Sequence, residues 1–223
     1  FEQGSIADSS DYPTKSTDWE LARSGNFSFD PNIRKNSADY PIDDSKSPIS
    51  IANFNGFGGS TILYSAHFPR FHLSDFRVKT LDNIADDWPL SYSELEPFFN
   101  ENEKIMGVAG LVGDTAYPEY NSLLPPIPLG DMGKVMAKAF NKKNWHWWPS
   151  YAAINTDKRK SRASCVNIGP CNVGCSQGAK GSVDVTYWPL ARLNGVEVYT
   201  ESRVYEITLD SKGLADGVLY MDA

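Results

Sequence analysis

Apolar residues recur at helical spacing in two stretches of the chain. Leu95, Phe98, Phe99, Asn102, Ile105 and Met106 fall near one helix face and predict a helix. Ser93-Glu94-Leu95-Glu96 reads as its capping box, with Ser93 at the N-cap and Glu96 at the third helical position. Gly107 ends it, and Pro97 falls in the first turn or just beyond, where it costs at most one early hydrogen bond. A second helix is expected behind Asp131 as its cap, with Val135, Met136, Ala139 and Phe140 as an apolar stripe that packs into the core. Strict alternation comes later. Val196, Val198 and Thr200, then Val204, Glu206 and Thr208, alternate as strands do, and Asp210 to Gly213 supplies a turn before Gly217-Val218-Leu219-Tyr220. That pattern predicts a strand followed by a hairpin. Residues 4–50, rich in Ser, Asp, Asn and Pro with few periodic apolar positions, predict a long irregular excursion with at most a short strand pair.

With 223 residues, 41% hydrophobic and 13% aromatic, the chain has the composition of a globular protein and room for one large domain or two small ones. The net charge is −7 and the pI is near 5.0. Lys and Arg are scattered, so the basic footprint of a nucleic-acid binder is missing and no nucleic-acid partner is expected. No stretch approaches the roughly 18 apolar residues of a membrane span, and no basic start with an apolar core marks a signal peptide. The chain opens on Phe1 and closes on Ala223 directly after the alternating run, so both ends are expected to be cut.

The strongest local signal is Gly56-Phe57-Gly58-Gly59-Ser60-Thr61. Glycines here permit positive φ and let bare N–H groups approach an anionic pyrophosphate, which identifies a candidate cofactor loop; the alternative is a plain turn. Tyr64, Phe68, Phe71 and Phe76 follow it and offer aromatic surface to exclude water. Phe1-Glu2-Gln3-Gly4 suits the end of a buried strand with Glu2 at its tip, where a dinucleotide-binding fold sets a carboxylate on ribose hydroxyls. The three cysteines, Cys165, Cys171 and Cys175, lie in one C-x5-C-x3-C run interleaved with Gly169, Pro170 and Gly174. Zinc wants four ligands, and His67, His72 and His146 do not sit at the usual offsets. An iron–sulfur cluster on three thiolates, a disulfide with a free thiol, and three buried thiols all stay open. His67, six residues after Thr61, is the one general-base candidate near the loop. Trp145, Trp147 and Trp148 around His146 form a patch that either stacks on a sugar or packs in the core. No GxSxG nucleophile elbow occurs, so hydrolase chemistry has no support.

Taken in order, Phe1-Glu2-Gln3-Gly4, Gly58-Gly59-Ser60-Thr61, Pro69 to Phe76, Asp87-Trp88-Pro89-Leu90-Ser91-Tyr92 with Leu95-Glu96-Pro97, Cys171-Asn172-Val173-Gly174-Cys175 with Ala179-Lys180, then Tyr187, Pro189, Ala191 and Arg203-Val204 carry a resemblance. The chain resembles the glucose-methanol-choline (GMC) family of FAD-dependent oxidoreductases, in the branch of gluconate 2-dehydrogenase flavoproteins and related sugar and polyol dehydrogenases. The resemblance implies an α/β fold in which residues 1–80 and 165–223 contribute to an incomplete Rossmann-like FAD-binding domain. Residues 81–164 would then be mainly part of a substrate-binding α+β domain.

It further implies that Glu2 binds the adenosine ribose, that Gly58, Gly59, Ser60 and Thr61 face the pyrophosphate and flavin, and that Val204 touches adenine through its backbone. Some relatives bond the flavin covalently to a His two residues after the Thr of this loop; Leu63 stands there, so FAD is expected to be non-covalent. Some relatives in the sugar dehydrogenase branch carry a three-iron cluster on cysteines spaced much like Cys165, Cys171 and Cys175, which implies such a cluster as a candidate here. The family's catalytic His belongs to a C-terminal part beyond this sequence, so no catalytic residue is assigned here. The implied activity is hydride transfer from a CH–OH group of a sugar, polyol or sugar acid to flavin N5, with electrons passed to a membrane cytochrome or quinone rather than to NAD, and with a cytochrome or small subunit as the expected partner. The rival readings are an oxidase that reduces O₂ and a non-catalytic carbohydrate-binding or structural protein built on the tryptophan patch. Substrate, acceptor and compartment stay open.

Overall fold

Two Ser-x-x-Glu frames overlap at the start of the long helix, and burial chooses between them. The computed structural model describes residues 43, 45–49, 57–157, 162–167, 171–172 and 174–222. Glu2, Gly56 and nearly all of the 4–50 excursion lie outside the described residues. Two 3-10 turns, Gly59–Ile62 and Leu73–Arg77, precede helices α1 (Val78–Asp82), α2 (Tyr92–Met106), α3 (Gly130–Lys143) and α4 (Tyr187–Leu193), and strands β1 (Ser202–Leu209) and β2 (Ala215–Asp222) follow.

Helix α2 starts two residues earlier than the sequence pattern predicts. Ser91, not Ser93, is the N-cap, and Glu94, not Glu96, closes the box: Ser91 N and Oγ donate to Glu94 Oε2 at 2.7 and 2.8 Å. The earlier frame brings Tyr92 into the helix, where its buried ring meets Phe76 and Phe99. It also moves Pro97 from the helix start into the interior. Gly107 ends the helix as expected, at φ 71°, with its N–H on Glu103 O at 2.9 Å.

Helix α3 departs further from expectation. It begins at Gly130 without a side-chain cap, and Asp131 sits in its first turn, 3.3 Å from Lys134 Nζ, rather than capping it. The expected core stripe lies on the surface: Val135 and Met136 are 66% and 49% exposed, and only Ala137 of this helix is buried. Periodicity identifies an amphipathic helix correctly but does not say what covers its apolar side, and no described element covers this one.

The hairpin forms where the alternation predicts it. β1 and β2 pair antiparallel from Ser202↔Asp222 to Leu209↔Ala215, with irregularities after Val204 and Thr208. Asp210 organises the turn by accepting from Lys212 N and Leu214 N on Oδ1, at 2.8 and 2.9 Å. The alternating residues 196–200 form no strand. Helices and strands coexist as an α/β chain, but among the described residues the sheet is this two-stranded hairpin, and they do not form the parallel sheet of a Rossmann domain.

The core is organised around a segment too short to be read as a strand from sequence. Residues 151–155 run extended between two partners. Ala152 exchanges both backbone bonds with Ala109, at 2.8 and 3.0 Å, and Leu124 continues outward from Val108 and Gly110. On the opposite edge Ala153 N donates to Ala66 O, Phe68 N to Tyr151 O, Asn155 N to Ala179 O and Gly181 N to Ala153 O, all within 2.9 Å. The buried cluster of Ala66, Met106, Val108, Tyr120, Tyr151, Ala152, Ala153 and Ile154 packs on this frame. Residues 66–68, just beyond the glycine turn, and 179–181, just beyond the cysteines, therefore share one edge of the same segment.

Beside the core, Arg70 fills a polar pocket between α2 and the loop at 119–120. All five guanidinium N–H groups are used: Nε and Nη2 on Glu103 at 2.5 and 2.7 Å, Nη1 on Tyr92 Oη and Glu119 O, and Nη2 on Asn100 Oδ1. Its plane lies 4.5 Å from the Tyr120 ring centroid. Burial disfavours this charge, but the bonds to Glu103 and Tyr92 outweigh it and hold the guanidinium firmly protonated.

Candidate cofactor site

The glycine turn is built onto a partner segment more than a hundred residues away in sequence. Gly58 adopts φ 95° and leads into the 3-10 turn Gly59–Ile62, whose start no side chain caps. Thr61 Oγ1 donates back to Gly58 O at 2.6 Å and accepts from Val183 N at 3.0 Å. Phe57 stacks on Trp188 with ring centroids 5.3 Å apart. Tyr64 Oη donates to Gly181 O. Residues 57–64 thus rest on 181–188 at several independent points.

The two glycines differ in what surrounds them. A Cβ at Gly58 would come within 2.9 Å of Ile62 Cδ1 and 3.0 Å of Asp184 Cβ, so this glycine closes the turn onto its support. A Cβ at Gly59, at φ 57°, would meet nothing within 4 Å among the described residues. Gly59 therefore presents bare backbone to an open side, as a turn must if a ligand is to approach its main chain. Ser60 is exposed beside it. Of the four turn residues, Gly58 and Thr61 hold the turn to its support, while Gly59 and Ser60 lie on the accessible side.

Lys180 lies beneath the turn and is 1% exposed. Its Nζ donates to Ile62 O at 2.5 Å, Tyr64 O at 3.1 Å and Cys171 O at 2.7 Å, which occupies its three N–H groups. Burial pulls its pKa down to about 8, against the pull of Cys171, Cys175 and Asp184. The Tyr64 ring, 5.2 Å from Nζ, covers it. Burial also pushes the Tyr64 phenol above its ordinary range, with the Arg162 charge opposing and Cys171 reinforcing the shift.

The cysteine segment meets the same ammonium through the main-chain oxygen of Cys171. Cys171 and Cys175 are half-buried, Cys165 is exposed, and all three are free thiols. Burial raises the pKa of Cys171, and the neighbouring Cys175 and Cys165 raise it further. Among the described residues no three His, Cys, Asp or Glu side chains are grouped closely enough to hold a metal ion. As placed, the thiols form no ready cluster site. Arg162 secures the same region by donating to Met106 O, Gly178 O and Ala179 O at 2.8–3.0 Å.

The remaining sequence candidates lie elsewhere. Val204 is 52% exposed in β1, opposite Tyr220. His67 is exposed, with Nδ1 2.7 Å from Ser150 Oγ. His146 Nε2 is 2.9 Å from the nearly buried Asp114 Oδ1, and its ring lies parallel to Trp148. Trp145 is 63% exposed, while Trp147 and Trp148 are half-buried and anchored through Nε1 to Asn141 Oδ1 and Leu111 O. The tryptophan patch is thus a surface feature in part, not simply core. Glu2 lies outside the described residues. In the sequence, Lys180 and the 181–188 support are marked only by the resemblance, through Ala179-Lys180 and Tyr187, and their contacts to the turn are not legible there.

Comparison with known proteins gives these features a lineage. The chain is 35% identical over 226 residues to a 2-methyl-1,2-propanediol dehydrogenase of Mycolicibacterium austroafricanum, an alignment covering all of this chain and 40% of that protein. Its homologues are GMC-type oxidoreductases. They include a cholesterol oxidase of Acinetobacter baumannii, 38% identical over 76% of this chain and 30% of that protein. The large subunit of a fructose dehydrogenase of Gluconobacter japonicus is 25% identical over 75% of this chain and 31% of its own length. The chain therefore spans well under half the length of these GMC-type relatives. No family model matches it.

Proposed function

We propose that the protein is an FAD-dependent oxidoreductase that oxidises the CH–OH group of an alcohol, polyol or sugar, and that Gly58, Gly59, Ser60 and Thr61 form part of its FAD site. The observation that carries the reading is the open face at Gly59 on a turn otherwise fixed from below. The relatives support the substrate class, since they are named for a 1,2-diol and for fructose. Bound FAD would supply the acceptor for the hydride leaving the carbinol carbon. The work of this chain is positional: Gly58 shapes the turn, Gly59 leaves its backbone accessible, and Phe57 and Tyr64 shield it on the support side. Leu63 at the position of the histidyl link supports non-covalent binding. Glu2 on the adenosine ribose and Val204 at adenine belong to this reading. So do the assignment of residues 1–80 and 165–223 to the FAD domain and of 81–164 mainly to the substrate domain.

Electrons would leave for an acceptor other than NAD, and the large-subunit designation of the fructose dehydrogenase supports a partner subunit. A three-iron cluster on Cys165, Cys171 and Cys175 is the finer part of the cofactor reading. It requires the exposed Cys165 to close on the half-buried pair.

The visible spectrum of the purified full-length protein, before and after acid precipitation, tests both parts. Flavin bands released into the supernatant support the oxidoreductase. A broad underlying absorbance that vanishes in Cys171→Ser supports the cluster, and its absence from anaerobically purified protein removes it. Gly59→Ala should retain the fold, at an αL cost of about 1–2 kcal/mol, while lowering flavin content well beyond that. A colourless protein that FAD cannot reconstitute overturns the flavoenzyme reading.

A further inference from the structure

A buried ammonium is expensive to keep, and this one contacts no charged partner through a hydrogen bond: all three N–H groups of Lys180 end on main-chain carbonyls. Two of those carbonyls, Ile62 and Tyr64, belong to the end of the glycine turn, and the third, Cys171, belongs to the cysteine segment. The lysine's own neighbours are fixed independently. Gly181 N is held by Ala153 O, Gly181 O accepts from Tyr64 Oη, and a Cβ at Gly181 would come within 2.3 Å of Met106 O, so the backbone beside Lys180 is hydrogen-bonded on both sides and packed where only glycine fits. A saturated donor that bridges two loops in this way is a clamp.

We propose that Lys180 is a positioning residue that holds the glycine turn and the cysteine segment as one mechanical unit, so that FAD binding at the turn and the order of the cysteine segment are coupled through its ammonium. The inference rests on the flavin reading of Gly58–Thr61 for its functional half alone. Its structural half concerns the two loops and can be read without cofactor. Coupling is directional in neither sense: whatever orders the turn fixes Ile62 O and Tyr64 O, which keeps Nζ in place for Cys171 O, and the reverse holds equally. Thr61 and Tyr64 have further bonds to 181–183, so the turn is not dissolved by loss of the lysine but loosened at its C-terminal end.

The test uses the full-length protein with Lys180→Met, which keeps side-chain length and loses every donor, and Lys180→Arg, which keeps charge and donors. Hydrogen exchange is followed in peptides covering 57–64, 171–182 and, as a control, α2, together with the Kd for FAD from flavin fluorescence. Lys180→Met should speed exchange about tenfold or more in both loops together while leaving α2 within about twofold. It should also weaken FAD about tenfold, with Lys180→Arg recovering part of each effect. Faster exchange in one loop alone overturns the coupling, and so does an FAD affinity unchanged within about twofold despite looser loops. Should Lys180→Met fail to fold, the native protein decides: stripping FAD must speed exchange at 171–175 as well as 57–64, and confinement to 57–64 overturns the proposal. A native protein that binds no FAD sinks the flavin reading, whereas the joint loosening of the two loops would still support the clamp.

Discussion

The hydroxyl of Tyr151 is buried in the core cluster and has no hydrogen-bond partner among the described residues. Its ring is well used, stacked 4.1 Å from Tyr120 and edge-on to Tyr117. The hydroxyl therefore costs desolvation without return, and Tyr151→Phe should leave stability unchanged or raise it by up to about 1 kcal/mol in urea unfolding. Burial first, then the charges of Asp114 and Tyr117, push this phenol up to about 12. A folded pKa above the unfolded value of about 10 means that the native state retains the proton longer. The associated stability is complete below about pH 10 and is lost as pH rises toward 12. Tyr151→Phe should thus flatten the fall of stability across that alkaline window, and an unchanged pH profile would contradict the assignment. Gly58 and Gly59 show the same point at this scale: adjacent identical residues serve different ends, one closing the turn and one leaving it open.

At the scale of elements, α2 carries the two clearest tests. Its cap is Ser91, so Ser91→Ala should cost about 1 kcal/mol, while Ser93→Ala at an interior exposed position should cost only a few tenths. Equal losses would restore the later frame. The Arg70–Glu103 pair, with side chains 1% and 2% exposed, belongs to the buried class of ion pairs, in which removing one partner strands the other. Arg70→Met should lower stability by about 3–5 kcal/mol, and pairing it with Glu103→Leu should recover much of that loss. A double variant no better than the single would mean that Tyr92, Asn100 and Glu119, not Glu103, dominate the site. Helix α2 is legible in its existence, its face and its Gly107 end because those are local properties of chain and solvent. Its start is not, because two capping frames compete and the burial of Tyr92 against Phe76 decides between them.

Across the whole molecule, apolar surface is unevenly placed. The hairpin exposes Val204, Tyr205, Ile207, Leu209, Leu219, Tyr220 and Met221 on both faces, and α3 adds Met132, Val135 and Met136. Surface of this kind promotes association. The 223-residue chain should bind a hydrophobic dye and self-associate as concentration rises, and the paired change Tyr205→Lys and Ile207→Lys should reduce both, by dye fluorescence and light scattering. A monomeric, dye-silent chain would show that these side chains are covered in solution.

The sequence by itself determined the local elements: the helix ending at Gly107, the helix near 130–143, the hairpin closed by Asp210, the positive-φ turn at Gly58 and the glycine-flanked cysteines. Each depends on spacing, turn chemistry or the missing Cβ of glycine, which neighbouring residues suffice to express. The resemblance to GMC oxidoreductases was carried by the same short motifs. Tertiary structure alone decided which segment organises the core, which face of α3 stays in water, and what the glycine turn stands on. Residues 151–155 carry no periodic signal because both their edges and both their faces are occupied. Lys180 enters the sequence reading only as part of the resemblance, and its contacts emerge when the chain brings Ile62 and Tyr64, over a hundred positions away, onto its ammonium. Such contacts depend on main-chain carbonyls, which every residue possesses, so no choice of side chain at 62, 64 or 171 could announce them; only the folded path of the backbone does.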